Sequence, residues 1–196
     1  MAVRQPRVRV EAPRRPPWQS RYHGVRMTPE QYLALPEEKP YLEYVDGMVV
    51  QKPMVNSAHA KLAALLAMQL GLYTRRVGGG HVGVEARTAV GSLPNYRLPD
   101  VTYWAPGRPS GDDSLPTLAV EVRSPGQTAA ELRAKCRFFQ RNGVDACWLV
   151  DPEARTVEVF EGGQDGGVLS ESATLTSAHL SGFALPLREL FAVLDD

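Results

Sequence analysis

Leu118-Ala119-Val120-Glu121-Val122 is the stretch that decides the fold. Its apolar run, broken only by Glu121, is the pattern of a strand covered on both faces of a sheet. A sheet covered twice needs helices on either side, which places the chain among the α/β domains. Glu121 is out of character there. An ionised carboxylate in such a strand is costly unless a cation, a metal ion or strong hydrogen bonds hold it. The bland alternative is a carboxylate leaning off the strand's end to pair with Arg123.

Toward the C-terminus, Thr128-x-x-Glu131 forms a capping box, and Gly143 suits the stop of the helix it opens. Ala146–Val150 is the next strand. Toward the N-terminus, Pro99-Asp100 opens a strand at Val101–Trp104, and Gly78-Gly79-Gly80 precedes another over His81–Val90. Asn56 or Ser57 caps a helix that runs to about Leu70. The central order is helix, strand, strand, strand, helix, strand. Short strand-to-strand links followed by a crossover helix imply a mixed central β-sheet flanked by helices. Hairpins are added at both ends. Tyr41–Val45 and Met48–Gln51 flank Asp46-Gly47, which suits a type I′ turn, and Thr156–Phe160 pairs with Val168–Leu175 around a glycine-rich turn. Thr28-Pro29-Glu30-Gln31 starts a first helix, and Leu187–Phe191 is a last short one.

The 196 residues suffice for one domain, read as 27–196, with a hydrophobic content of 43% and a charged content of 22% that are ordinary for a globular protein. Residues 1–26 form a basic Pro/Arg-rich extension with seven arginines, four prolines and one acid, so the arm is +6 and the body −6. The acidic body fits a carboxylate cluster that needs a cation; the neutral total argues against broad DNA contact. No segment approaches the ~18 consecutive apolar residues of a membrane span, and no membrane partner is expected. Cys136 and Cys147 lack the spacing of a metal knuckle and are read as reduced core residues of a cytoplasmic protein.

Asp100 begins the strand before Glu121's. Two acids at the ends of adjacent strands can converge and supply hard oxygen ligands to Mg²⁺ or Mn²⁺. Lys135 shares an i, i+3, i+7 helix stripe with Leu132 and Phe139, in a chain with only four lysines against eighteen arginines. Snorkelling beside Glu131 is its structural alternative. His59 stands on a similar stripe with Leu62 and Leu66, as a core histidine or a site-lining one. Glu85 interrupts the His81–Val90 strand and Glu43 the first hairpin; either is a third metal ligand or a solvent-facing residue. Nothing matches a P-loop, a dinucleotide fingerprint or a nucleophile elbow.

Seven stretches in order, Met27–Glu37, Tyr41–Val50, the histidine that heads His59–Leu66, Arg97–Trp104, Leu118–Pro125, Lys135–Val144 and Cys147–Phe160, resemble the Uma-two family of endonucleases, within the PD-(D/E)XK, restriction endonuclease-like superfamily. The resemblance implies that Asp100 and Glu121 are the acidic pair and that the family's lysine, moved from strand to helix, is Lys135. Arg123 occupies the strand position that the superfamily's usual lysine would take. Glu131 stands where the family often has an aspartate, and Gly47-Met48 lacks the acid that commonly ends the hairpin.

The expected function is hydrolysis of nucleic-acid phosphodiesters, DNA first, by a Mg²⁺- or Mn²⁺-dependent centre of Asp100, Glu121, Lys135 and His59, with Glu85 or Glu43 as further metal ligands. Two alternatives stand beside it: a degenerate nuclease fold serving as a binding or assembly module, a homodimer among its forms, and a metal-dependent hydrolase of another phosphate ester.

Overall fold

The structure is a computed structural model that describes residues 16–91, 95–111, 114–163 and 167–195. In chain order the elements are α1 (Pro29–Leu33), β1 (Leu42–Val45), β2 (Met48–Gln51), α2 (Ser57–Val77), β3 (His81–Val84), β4 (Thr88–Val90), β5 (Asn95–Arg97), β6 (Val101–Trp104) and β7 (Leu118–Val122). They continue with α3 (Ala129–Arg141), β8 (Ala146–Asp151), β9 (Thr156–Glu161), β10 (Val168–Ser170), β11 (Thr174–Leu175), β12 (Leu185–Pro186) and α4 (Leu187–Phe191).

A six-stranded mixed sheet, ordered β10-β9-β8-β7-β6-β3, forms the centre. Among the described residues its one parallel pair is β7 with β8, joined by α3 as a crossover. Alternation along β7 sends Leu118, Val120 and Val122 into a core beneath α2 and α4, where Leu62, Leu66, Trp148 and Phe191 are fully buried. Ala119 faces the other way, toward Leu132, Cys136 and Phe139 of α3. Glu121 has the same parity and lies on that α3 side, opposite Leu149 in the register. Among the described residues no helix is long and apolar enough to cross a membrane.

The N-terminal hairpin has its expected turn, with Asp46 and Gly47 both at positive φ (48° and 82°) as type I′ requires. It is not a mere addition. β1 and β2 belong to a second, four-stranded antiparallel sheet, β2-β1-β5-β4. Tyr32, Leu42, Tyr44, Val49 and Tyr96 form its small core, with the Tyr32 ring stacked 5.3 Å from Tyr44 and 5.5 Å from Tyr96.

The strand expected over 81–90 is two strands in two different sheets. Glu85, at φ 50°, breaks it, and the chain bends so tightly that a Cβ on Gly83 would stand 2.8 Å from Thr102 Oγ1 and 2.9 Å from Ala86 Cβ. Glu85 is therefore not on a strand face. β5 went unforeseen because three residues carry no periodic signal. The helix expected to end near Leu70 runs to Val77, where Gly78 at φ 74° caps it. Its last turns persist because Tyr73 packs edge-on against Tyr103 and Phe183, 5.7 Å from each. The segment 168–175 also divides: β10 pairs with β9, and β11 with β12.

Of the N-terminal arm, residues 1–15 lie outside the described residues. Residues 16–26 run beside β2, with the Gly24 N–H donating to Val49 O (2.8 Å) and the Val49 N–H to Val25 O (2.9 Å).

Candidate active site

Asp100 is pinned where β6 begins. Its N–H donates to the Val120 carbonyl (3.0 Å), and its Oδ2 accepts the Val122 N–H (2.7 Å), so backbone bonds to β7 fix both ends of the residue. Lys52 Nζ donates to Oδ1 at 2.9 Å, and His59 Nε2 lies 3.0 Å from Oδ2. Burial alone would favour the neutral acid. The His59 hydrogen bond and the Lys52 ammonium outweigh it and hold the carboxyl well below the usual carboxylate range. His59 is set by the first turn of α2, where Asn56 Oδ1 accepts its backbone N–H at 2.9 Å; its own Nδ1 is buried without a partner.

Glu121 projects toward α3. Lys135 Nζ donates to its Oε2 at 3.0 Å and lies 2.9 Å from Oε1, which is buried and makes no hydrogen bond. Burial, helped by the negative charges of Asp100 and Glu43, raises the carboxyl to about 7 against the pull of Lys135. Lys135 in turn donates to Glu43 Oε1 (2.8 Å), so one ammonium joins the helix to both sheets. Burial opposes charge on Glu43, but Lys135, Arg97 and Lys52 hold its carboxyl below the ordinary range. Its Oε1 accepts the Leu98 N–H at 2.9 Å, and Arg97 lies 3.3 Å from Oε2.

The sheet junction thus brings Glu43, His59, Asp100, Glu121 and Lys135 to one cavity of about 480 Å³, with Lys52 and Arg97 in its wall. Glu85 is not in that lining. It stands 3.4 Å behind Lys52 and borders a separate cavity of about 420 Å³ beside Tyr32 and Leu35. The bland pairings named for two of these residues are not the ones found. Arg123 turns to Asp151 (2.8 Å) and the Gln127 carbonyl (3.1 Å), away from Glu121. Glu131 closes the capping box with Thr128 and does not pair with Lys135. Cys136 and Cys147 are free thiols in the core.

The family model described as "Uma2: Putative restriction endonuclease" matches residues 29–188. The chain belongs to the Uma2 family. Among solved structures, the Uma2 chain is similar to a "putative nuclease" from Anabaena variabilis in a 1.96 Å crystal structure. The TM-score is 0.76 at 23% identity, over 86% of this chain and 99% of that one, which supports the fold. A DrdV–DNA complex aligns over 68% of this chain and 13% of its own at 17% identity, with a TM-score of 0.37, too low to carry an argument. No curated protein matches.

Uma2 membership and hard carboxylate oxygens raise the question of a divalent ion. Among the described residues no three of His, Cys, Asp or Glu converge as a ready-made metal cage. Asp100 and Glu121 on one cavity, with Glu121 Oε1 buried and held by the Lys135 ammonium without a hydrogen bond, still suit Mg²⁺, which takes one or two protein carboxylates and fills its shell with water and phosphate oxygens. Sequence reasoning missed Lys52 and Arg97. The scarcity of lysine marks Lys52 as unusual, but it follows a strand end and precedes a proline, where no periodicity flags burial.

Proposed function

We propose that this Uma2 chain is a divalent-metal-dependent endonuclease acting on nucleic-acid phosphodiesters, DNA first, in the cavity between its two sheets. The observation that carries this reading is the Lys135 ammonium, 14% exposed, seated between Glu121 of β7 and Glu43 of β1 beside the cavity that Asp100 also lines. A protein has little structural reason to gather so many charges in its interior, since apolar replacements are commonly as stable; perturbed titratable groups in a cleft point to chemistry.

Asp100 and Glu121 would hold Mg²⁺ or Mn²⁺. When bound, such an ion lowers the proton affinity of water and offsets charge on the phosphate. Lys135 presents a fixed ammonium to the phosphate oxygens, a preorganised charge that need not be desolvated at the moment of reaction. Glu43 positions Lys135, and Arg97 and the Leu98 N–H steady Glu43. His59 keeps the Asp100 carboxylate ionised and oriented. The test is incubation of supercoiled plasmid, single-stranded DNA and RNA with Mg²⁺ or Mn²⁺. Wild type cleaves at least one substrate, and Asp100→Ala and Lys135→Ala lose at least about 100-fold; equal cleavage by all three excludes this site.

A second function, a binding or assembly module that also admits a homodimer, is favoured by one observation: Lys52 already neutralises Asp100. The two separate on thermal unfolding. Mn²⁺ raises the melting temperature of wild type but not of Glu121→Ala if the acids bind metal, because an ion selective for the folded state stabilises it. No shift favours the module.

A further inference from the structure

Lys52 meets three oxygens from two segments. Its Nζ donates to the Leu98 carbonyl at 2.7 Å and to Asp100 Oδ1 at 2.9 Å, with Glu85 Oε1 at 3.4 Å. Two carboxylates and a backbone carbonyl are the hard donors that divalent ions take. The side chain is 7% exposed, so these oxygens stand in for the water that would otherwise surround the ammonium. Burial opposes its charge, but Asp100, with Glu121 and Glu43 behind it, holds its pKa above the ordinary lysine value.

Asp100 has little capacity left. An ionised carboxylate offers about four lone-pair positions. Three are committed, to Lys52, to His59 Nε2 and to the Val122 N–H. A dication on the remaining one would sit close to the Lys52 ammonium, and like charges at such range repel strongly in a buried site.

We infer that Lys52 is an internal stand-in for the divalent cation: its ammonium occupies Asp100 in the resting protein and withdraws when a metal ion takes the carboxylate. Lys52 therefore sets the ion concentration at which the site loads. This rests on the metal-dependent function proposed above. The ammonium has somewhere to go, because Lys52 lines the 480 Å³ cavity with Gln51 and Pro53 and carries a flexible four-carbon stem. There it would add a second positive group for the phosphate.

The test is calorimetric titration of the full chain with Mn²⁺, comparing wild type, Lys52→Met and Lys52→Gln. The glutamine keeps a donor for the Leu98 carbonyl and serves if the methionine variant does not fold. Both variants are expected to bind Mn²⁺ about tenfold more tightly than wild type. Affinity equal to or weaker than wild type overturns the inference and leaves the metal-dependent function standing; no binding by any of the three overturns both. A second readout needs no variant. With Mg²⁺ present, Lys52 of wild type becomes more reactive toward an amine-acylating ester, followed by mass spectrometry with exposed Lys39 as internal reference. Unchanged acylation overturns the stand-in role.

Discussion

Glu121 and Lys135 are the residues whose burial was most legible in the sequence, each a charge set on an apolar stripe. Lys52 and Arg97 were not, because their burial is created by two sheets meeting and no local pattern encodes that. Lys135 is the residue on which most depends. Replacing it with methionine, close in size but uncharged, leaves Glu43 and Glu121 buried without their shared cation; the expected loss is about 3–5 kcal/mol of stability, measured by urea denaturation at neutral pH. Glu121, whose carboxyl is already raised to about 7 beside Lys135, can take up a proton once that cation is gone, so adding Glu121→Gln to that variant should change its stability little at neutral pH. Glu121 also confers a pH dependence of definite sign. Its pKa rises from 4.5 to about 7 on folding, so between those values the folded chain keeps a proton that the unfolded chain releases. Its contribution is therefore fully present below 4.5 and falls as pH rises toward 7. The stability difference between wild type and Glu121→Gln should decline across that window and level off above it. Asp100 has the opposite sign: its depressed pKa contributes stability above 3.8 that is lost as pH falls.

At the scale of elements, the capping boxes of α1 and α3, the type I′ hairpin and the buried β7 were readable because each rests on a local rule. The division of His81–Val90 was not, since one residue at positive φ leaves the apolar pattern untouched. α3 matters because it carries Lys135. Thr128→Ala removes its capping box and should cost about 1 kcal/mol of stability, read from the denaturation midpoint. Gly83→Ala forces a methyl group against Thr102, Ala86 and Trp104. The expected cost is about 1–3 kcal/mol by the same measurement.

At the scale of the molecule, the mixed sheet and its helices followed from the order of elements. The existence of a second sheet did not, because β4 and β5 have three residues each. That sheet rests on five core residues, whereas β7 and β8 lie among many more. Regions with few buried contacts open first. Hydrogen exchange followed by mass spectrometry should show peptides over 42–51 losing protection well before those over 118–122 and 146–150; equal protection would contradict a separately opening sheet.

The strands β3 and β6 pair with each other, and the chain between them makes β4 and β5, so all four are one long ribbon folded at its waist. The crease passes through Glu85 and Asp100, whose backbones face each other across it with the Glu85 N–H on the Asp100 carbonyl. A hinge displaces least what lies on its own axis. Asp100, tied at the crease to Glu85 on one side and to Val120 and Val122 on the other, is therefore the carboxylate of the cavity that any flexing of the two arms would disturb least.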